Sequence, residues 1–246
     1  MLMIGKYQFR TGLWPTLIAV LVFPCLIALG FWQLDRAKQK REMHNAFLER
    51  QQAEAIKLNE RILSADPEEL YWRHIELSGE FKRNRKIFLD NQVLNREAGY
   101  YVYVLFSPVG SDQSVLINYG WIAAGADRTL LPEVDLPNGT VTLKGIIKGV
   151  PSTGITLEET AVESIQNNIR VQSINIGKLS NLLNEKLALF VVRLEKESPY
   201  GLTRQWALPG SDEAMHLGYA FQWFALAATL LVIFIVVNLH KDKSNE

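Results

Sequence analysis

Cysteine is almost missing from this chain of 246 residues: Cys25 stands alone, inside an apolar run. An intramolecular disulfide is therefore impossible, and a cysteine-built zinc cluster is excluded. A charge surplus is missing too, with 26 Lys and Arg against 26 Asp and Glu. With no basic excess to neutralise phosphates, nucleic acid is not an expected partner. There is no Gly-rich phosphate loop, no His-x-x-x-His pair and no nucleophile elbow, and the carboxylates show no spacing that marks an acid/base pair. These absences argue against an enzyme. Asn138-Gly139-Thr140 matches a glycosylation sequon, but a turn explains it better.

What the chain does have is apolar residues gathered at its two ends. Residues 13–34 carry no charge and are long enough to cross a bilayer. A cleaved signal peptide is the rival reading, but the run is too long for a signal core, and bulky Phe31 and Trp32 follow Ala28-Leu29-Gly30 directly. Pro24 is expected to kink or weaken the helix at mid-span. Residues 1–12 are too short and too poor in Arg and Ser for a mitochondrial transit peptide, which favours a bacterial origin. Near the other end, residues 219–239 are uncharged and reach roughly 31 Å as a helix, close to the hydrocarbon thickness of a bilayer. Pro209-Gly210 predicts a turn before this helix. Ser211 is a candidate cap, and Asp212 and Glu213 suit the positive end of the helix dipole.

Between the spans the composition changes. Residues 35–63 are rich in Ala, Glu, Gln, Lys and Arg, so the first helix is expected to continue out of the membrane until Asp66-Pro67 ends it. His44 reads as a surface residue of that stretch. Short alternating apolar segments predict strands over 71–81, 86–91, 99–108, 114–121, 140–150, 168–174 and 187–195. Residues 100–106 are apolar on both faces and predict a central strand. Gly110-Ser111-Asp112 reads as a turn and Pro137-Asn138-Gly139 as a hairpin-like one. Residues 158–165 and 177–185 are short helix candidates. His74 reads as structural or exposed, residues 199–210 as a linker, and His240 as an interfacial anchor. The expected fold is a membrane protein with N- and C-terminal transmembrane α-helices. They flank a mainly antiparallel β domain, α+β in class and barrel- or sandwich-like. The divisions are an N-terminal tail at 1–12, a span at 13–34, a helical connector at 35–66, a β domain at 67–210, an interfacial start and second span at 211–239, and a tail at 240–246.

Two spans place both termini on one side and the body on the other. Lys6, Arg10, Lys241 and Lys243 flank the terminal side, and Arg36, Lys38, Lys40, Arg41 and Arg50 the body side, so charge counting leaves the orientation open.

His216 is the residue whose surroundings suggest chemistry. It falls at the water–lipid boundary near a helix start, and Tyr219 and Trp223 follow at i+3 and i+7 on one face, flanked by Gln222. A helix N-terminus favours the neutral ring, and neutral imidazole is what haem iron takes as an axial ligand. Trp32 and Gln33 lie at the same depth on the first span. Arg36, Lys38 or Arg41 would be charge-assisted partners for propionates. The competing reading is an aromatic-belt anchor with no ligand, and the residue pattern leaves both open.

Three motifs carry a resemblance. Gly30-Phe31-Trp32-Gln33-Leu34-x-Arg36-x-x-x-Lys40 is similar to a G-x-W-Q-x-x-R motif closing the first span of the Surfeit locus protein 1 family. His216-Leu217-Gly218-Tyr219-Ala220-x-Gln222-Trp223-Phe224-x-Leu226-Ala227 resembles that family's H-x-x-Y-A-x-Q-W-F-x-L-A motif at the start of the second. Asn118-Tyr119-Gly120-Trp121-Ile122 resembles its N-R-G-W-V segment, departing at Tyr119 where the family has Arg. The resemblance implies a cytochrome c oxidase assembly factor, multi-pass in the bacterial inner membrane, with its β domain in the periplasm. It implies haem a, bound transiently, as cofactor and His216 as its iron ligand. Tyr219, Gln222, Trp223, Trp32, Gln33 and Arg36 would shape the pocket or hold the spans together. The implied partners are oxidase subunit I, haem A synthase and membrane lipid. The alternative function is a scaffold that tethers an oxidase subunit without haem.

Overall fold

The computed structural model describes residues 2–4, 7–151, 162–165 and 167–241. They fall into two compact units, one drawn from within residues 1–47 and 207–246 and the other from within residues 48–206.

The first unit is built on two apolar helices, α1 (Leu13–Gln52) and, late in the chain, α5 (Glu213–Asn238). Both are long and apolar enough to cross a membrane, and only 11% of the most apolar window of each is buried within the protein. Helices with that much uncovered hydrocarbon read as membrane spans. α1 continues through Pro24. Small residues make the seam between the helices: Gly30 and Ala37 of α1, Ala220 and Ala227 of α5. A β-carbon on Gly30 would stand 2.5 Å from the Phe224 ring, so glycine is what admits that ring. Phe31 meets Phe224 edge-on at 5.5 Å. At the other end, short strands β1 (Leu2–Ile4) and β2 (Tyr7–Phe9) and the C-terminal β11 (Leu239–Lys241) form a three-stranded antiparallel sheet. Asn238, fully buried, accepts from the Gly12 amide at 3.0 Å and donates to the Phe234 carbonyl at 2.7 Å.

The second unit is a closed barrel. Its strands are β4 (His74–Leu94), β5 (Glu97–Pro108), β6 (Ser114–Ala123), β7 (Val141–Lys148) and β10 (Leu187–Leu194). Pairing runs β4 to β5, β6, β10 and β7 and returns to β4, which leaves no open edge in that circuit. Most pairs are antiparallel, and β10 runs parallel to β6. Strands β8 (Val162–Ile165) and β9 (Asn168–Val171) extend from β4, and the short β3 (Ile56–Lys57) also pairs with it. Strand β4 serves two neighbours because it bends. Residues 82–85 stand opposite Leu105 alone, a bulge that increases local twist.

Both faces of β5 are covered. Tyr100, Val102, Val104 and Phe106 join one buried cluster with Phe81, Phe88 and Phe190, while Tyr103 and Leu105 join a second with Leu116, Leu179 and Val191. That is why this strand lacks alternation. Helix α4 (Ile176–Leu183) covers the second cluster; its N-cap Asn175 accepts from the Lys178 amide, and Asn184 ends it in the left-handed conformation.

Several expectations are corrected. α1 ends at Gln52 and does not continue to residue 63. Two short helices follow, α2 (Glu60–Ser64) capped by Asn59 and α3 (Pro67–Leu70) capped by Asp66, so Asp66-Pro67 starts a helix and does not end one. The segments at 71–81 and 86–91 are one bulged strand. Pro137-Asn138-Gly139 turns the chain into β7, but β6 and β7 are not paired with each other, so it is no hairpin. In the proposed 158–165 helix, residues 162–165 are a strand and the rest lie outside the described residues. The 199–210 linker is ordered against the barrel as far as Trp206: Thr203 bridges Trp121, and the Trp206 ring N–H donates to the Leu194 carbonyl at 2.9 Å.

Phe106 is fully buried and meets Phe81 edge-on at 5.1 Å. Phe106→Ala is expected to cost about 3–5 kcal/mol, read as a lower denaturation midpoint for the β domain of the full chain in detergent.

Candidate functional site

The site is assembled where α1 leaves its apolar stretch and α5 begins its own. Gly210 makes the approach there. Its φ is +72°, and a β-carbon would stand 2.2 Å from the Lys40 carbonyl oxygen. Only glycine takes that conformation at that distance without strain. The N-cap of α5 is Asp212, not the expected Ser211, and its carboxylate makes no capping bond. It faces Lys40 at 3.0 Å, and Glu213 takes Arg41 through Nε at 2.7 Å. His44, expected on the surface, is half-buried and donates from Nδ1 to the Pro209 carbonyl at 3.0 Å. Composition cannot reveal that carbonyl, because a turn far along the chain supplies it.

These contacts set the charges. The Lys40 hydrogen bond holds the Asp212 carboxyl below the usual carboxylate range, against the opposing cost of burial. Hydrogen bonding and charge from Glu213 hold the Arg41 guanidinium above its ordinary value.

One helical turn into α5, His216 meets α1. Its Nδ1 lies 2.7 Å from the side-chain oxygen of Gln33, which is 9% exposed at the seam. An amide oxygen only accepts, so Nδ1 carries the proton. In the neutral ring Nε2 then holds the lone pair. Nε2 is 3.7 Å from the Asp212 carboxylate, too far for a hydrogen bond, and the carboxylate is engaged by Lys40. The arrangement holds one imidazole, its orientation set by Gln33, at the head of two apolar helices.

The other sequence-derived candidates divide. Gln33 and His216 are brought together. Trp32 is exposed, with the Arg36 guanidinium 5.6 Å from its ring centre. Arg36 also donates to Gln39 at 3.0 Å. Tyr219 is 45% exposed, Trp223 is half-buried and Gln222 is exposed, so the seam runs through Ala220 and Phe224 rather than through the Tyr219–Trp223 face. Of the three cations offered for propionates, Lys38 lies 3.8 Å from Glu42 and Arg41 is bound to Glu213, while Arg36 has no carboxylate partner among the described residues. No cluster of three His, Cys, Asp or Glu residues able to hold a metal ion occurs among the described residues. Sequence reading missed the Lys40–Asp212 and Arg41–Glu213 pairs, although two bases and two acids standing just outside the apolar runs were a usable signal.

Fold and site together define a class: a β-barrel domain in one chain with two apolar helices, one imidazole fixed where those helices meet. A model described as the SURF1 family matches residues 20–228, and the chain belongs to that family. A SURF1-like protein of Rickettsia prowazekii (strain Madrid E) is 28% identical over 220 residues, 87% of this chain and 85% of that protein. A SURF1-like protein of Rickettsia felis is 27% identical over 228 residues, covering 89% and 95%. The cytochrome oxidase assembly protein SHY1 of Saccharomyces cerevisiae is 30% identical over 112 residues, 44% of this chain and 29% of its own length.

Lys40→Met is expected to return the Asp212 carboxyl toward its ordinary value, followed by carboxylate-carbon NMR. The bonded carboxyl is depressed, so the pair stabilises above the ordinary carboxylate value and is lost as pH falls through the lower one. Gly30→Leu is expected to displace Phe224 and widen the seam by at least about 1 Å, measured between spin labels on the two helices.

Proposed function

We propose that this chain is an assembly factor for haem-copper cytochrome c oxidase. In this reading it is held in the bacterial inner membrane by both spans, with the β domain in the periplasm. It takes haem a as transient cargo and aids its delivery to oxidase subunit I, and haem A synthase is the natural donor. The role is carriage and hand-off, not catalysis. Membership of the family and the name of the yeast relative support the assembly role.

The observation that carries the haem reading is the 2.7 Å contact between Gln33 and His216. Iron ligation requires a neutral imidazole with one free nitrogen, and a hydrogen bond at the other nitrogen fixes which one. Here Gln33 takes Nδ1 and leaves Nε2. The flanking residues fit the rest of such a cargo. Trp32 and Tyr219 expose flat apolar rings, and Arg36 is the nearby cation not already spent on a carboxylate. His216 would ligate, Arg36 would meet a propionate, and Gln33 would position the ring.

A second reading has its own support. A His–Gln bond inside a seam of small residues is also a plain tie between spans. The chain would then tether an oxidase subunit without haem.

One experiment separates them. The protein is purified from cells that make haem a, as wild type and as His216→Ala. The haem reading expects a haem absorption band in the wild type and at least tenfold less haem per chain in the variant, with oxidase assembly impaired. An unchanged band, or full oxidase assembly in the variant, leaves the tether.

A further inference from the structure

The barrel carries a second candidate site that the haem reading does not use. A cavity of about 440 Å³ opens on its outer face, within the size range of small-molecule sites. Lys148, Arg193, Tyr101, Tyr103, Asn118 and Trp206 are among its walls. Val191 of β10 pairs across the ladder with Lys148 of β7, and Arg193 stands two residues beyond Val191 on β10, which places Lys148 and Arg193 on one face.

The charge in this cavity is uncompensated. Neither Lys148 nor Arg193 has a carboxylate within ion-pair distance among the described residues. The Arg193 Nε is buried with no hydrogen-bond partner. Burial pushes the Lys148 amine down to about 7, with Arg193 adding repulsion, and burial also lowers Arg193. The Trp72 ring, 2.9 Å from the Lys148 amine, partly offsets that cost. A desolvated guanidinium beside an amine that releases its proton near neutrality makes a place where an anion would restore and pair the second charge.

Flat surface and a donor complete the site. The Trp206 ring meets the Arg193 guanidinium at 4.9 Å and the Tyr101 ring at 5.6 Å. Asn118 donates to the Tyr103 hydroxyl oxygen at 3.0 Å, and its own oxygen accepts from the Gly120 amide. With its oxygen accepting, Tyr103 has its hydroxyl hydrogen free to donate.

We infer that this cavity binds a small anion with a flat apolar body, its oxyanion between Lys148, Arg193 and the Tyr103 hydroxyl and its body against Tyr101 and Trp206. A bare inorganic anion would leave the rings unused, and a neutral aromatic molecule would leave the cations unpaired. The site is separate from the His216 seam and does not rest on haem binding.

The test is calorimetric titration of the full-length protein in neutral detergent with naphthalene-2-sulfonate, whose charge is constant across the pH range used. Saturable one-site binding is expected. It should weaken at least tenfold in Lys148→Met and in Arg193→Met, each of which should melt no lower than wild type because an unpaired cation is removed. Inorganic sulfate and the neutral 2-hydroxymethylnaphthalene should each bind at least tenfold more weakly. In the wild type, affinity should fall with added salt and fall as pH rises through about 7, where Lys148 loses its proton beside Arg193, Tyr71, Tyr101 and Tyr103. Lys148→Met should remove that pH dependence. Absent binding, equal binding of the neutral analogue, or salt-independent affinity in the wild type would each overturn the inference, as would full affinity in both variants.

Discussion

The side-chain contacts that join α1 to α5, Phe224 against Gly30 and Phe31 and His216 against Gln33, are the constraint on which the membrane unit depends. Side chains smaller than usual at Gly30, Ala37, Ala220 and Ala227 let the helices meet, and Gly210 lets the chain enter α5 against the Lys40 carbonyl. In lipid there is no hydrophobic drive between helices, so shape and polar bonds must hold them. The polar bonds lie toward the helix ends. His216 meets Gln33 at one end and Asn238 meets Gly12 at the other; in the stretch between, the described polar side chains Thr16 and Thr229 bond only to nearby backbone carbonyls. A widened seam would cost more than packing, since it would strip Gln33 of its partner in a place where water is scarce.

The barrel obeys a different economy. Closing the circuit of five strands satisfies the backbone, and the bulge in β4 makes closure possible by letting one strand serve β5 and β7. With β5 buried on both faces, the outer cluster needs its own cover, which α4 and β9 supply. Near the cavity that cover gives way to Lys148 and Arg193. Barrel and seam thus share a logic: regular structure meets its backbone needs, and a few polar groups are left over at defined places.

The sequence was most legible where one segment decides its own state. Long uncharged runs fix the two apolar helices by length, and tyrosine- and valine-rich segments such as 100–106 read correctly as strand because their neighbours only confirm what propensity dictates. Good helix formers after Gln52 misled, since Asn59 and Asp66 restart the helix with caps that local composition outweighs on paper. The motif residues Gln33 and His216 were legible as candidates, but their contact was not. It joins positions 183 apart and depends on the rotation of each helix about its axis. The same rotation leaves Gln222 and Tyr219 exposed, which helical spacing alone could not foresee. The cavity was invisible for a stronger reason. Its walls come from segments between Tyr71 and Trp206, and barrel closure alone brings them to one face.

The buried Asn238 has a mechanical meaning. Its side chain ties the last turn of α5 to the residue just before α1, and the strands beyond it knit both chain termini together. The helix pair is thus pinned at that end by neutral bonds, while its opposite end is latched by exposed ions and one imidazole. Ionic strength and acidity therefore act on one end of the pair alone: salt screens Lys40–Asp212 and Arg41–Glu213, and it leaves the neutral knot at Asn238 untouched.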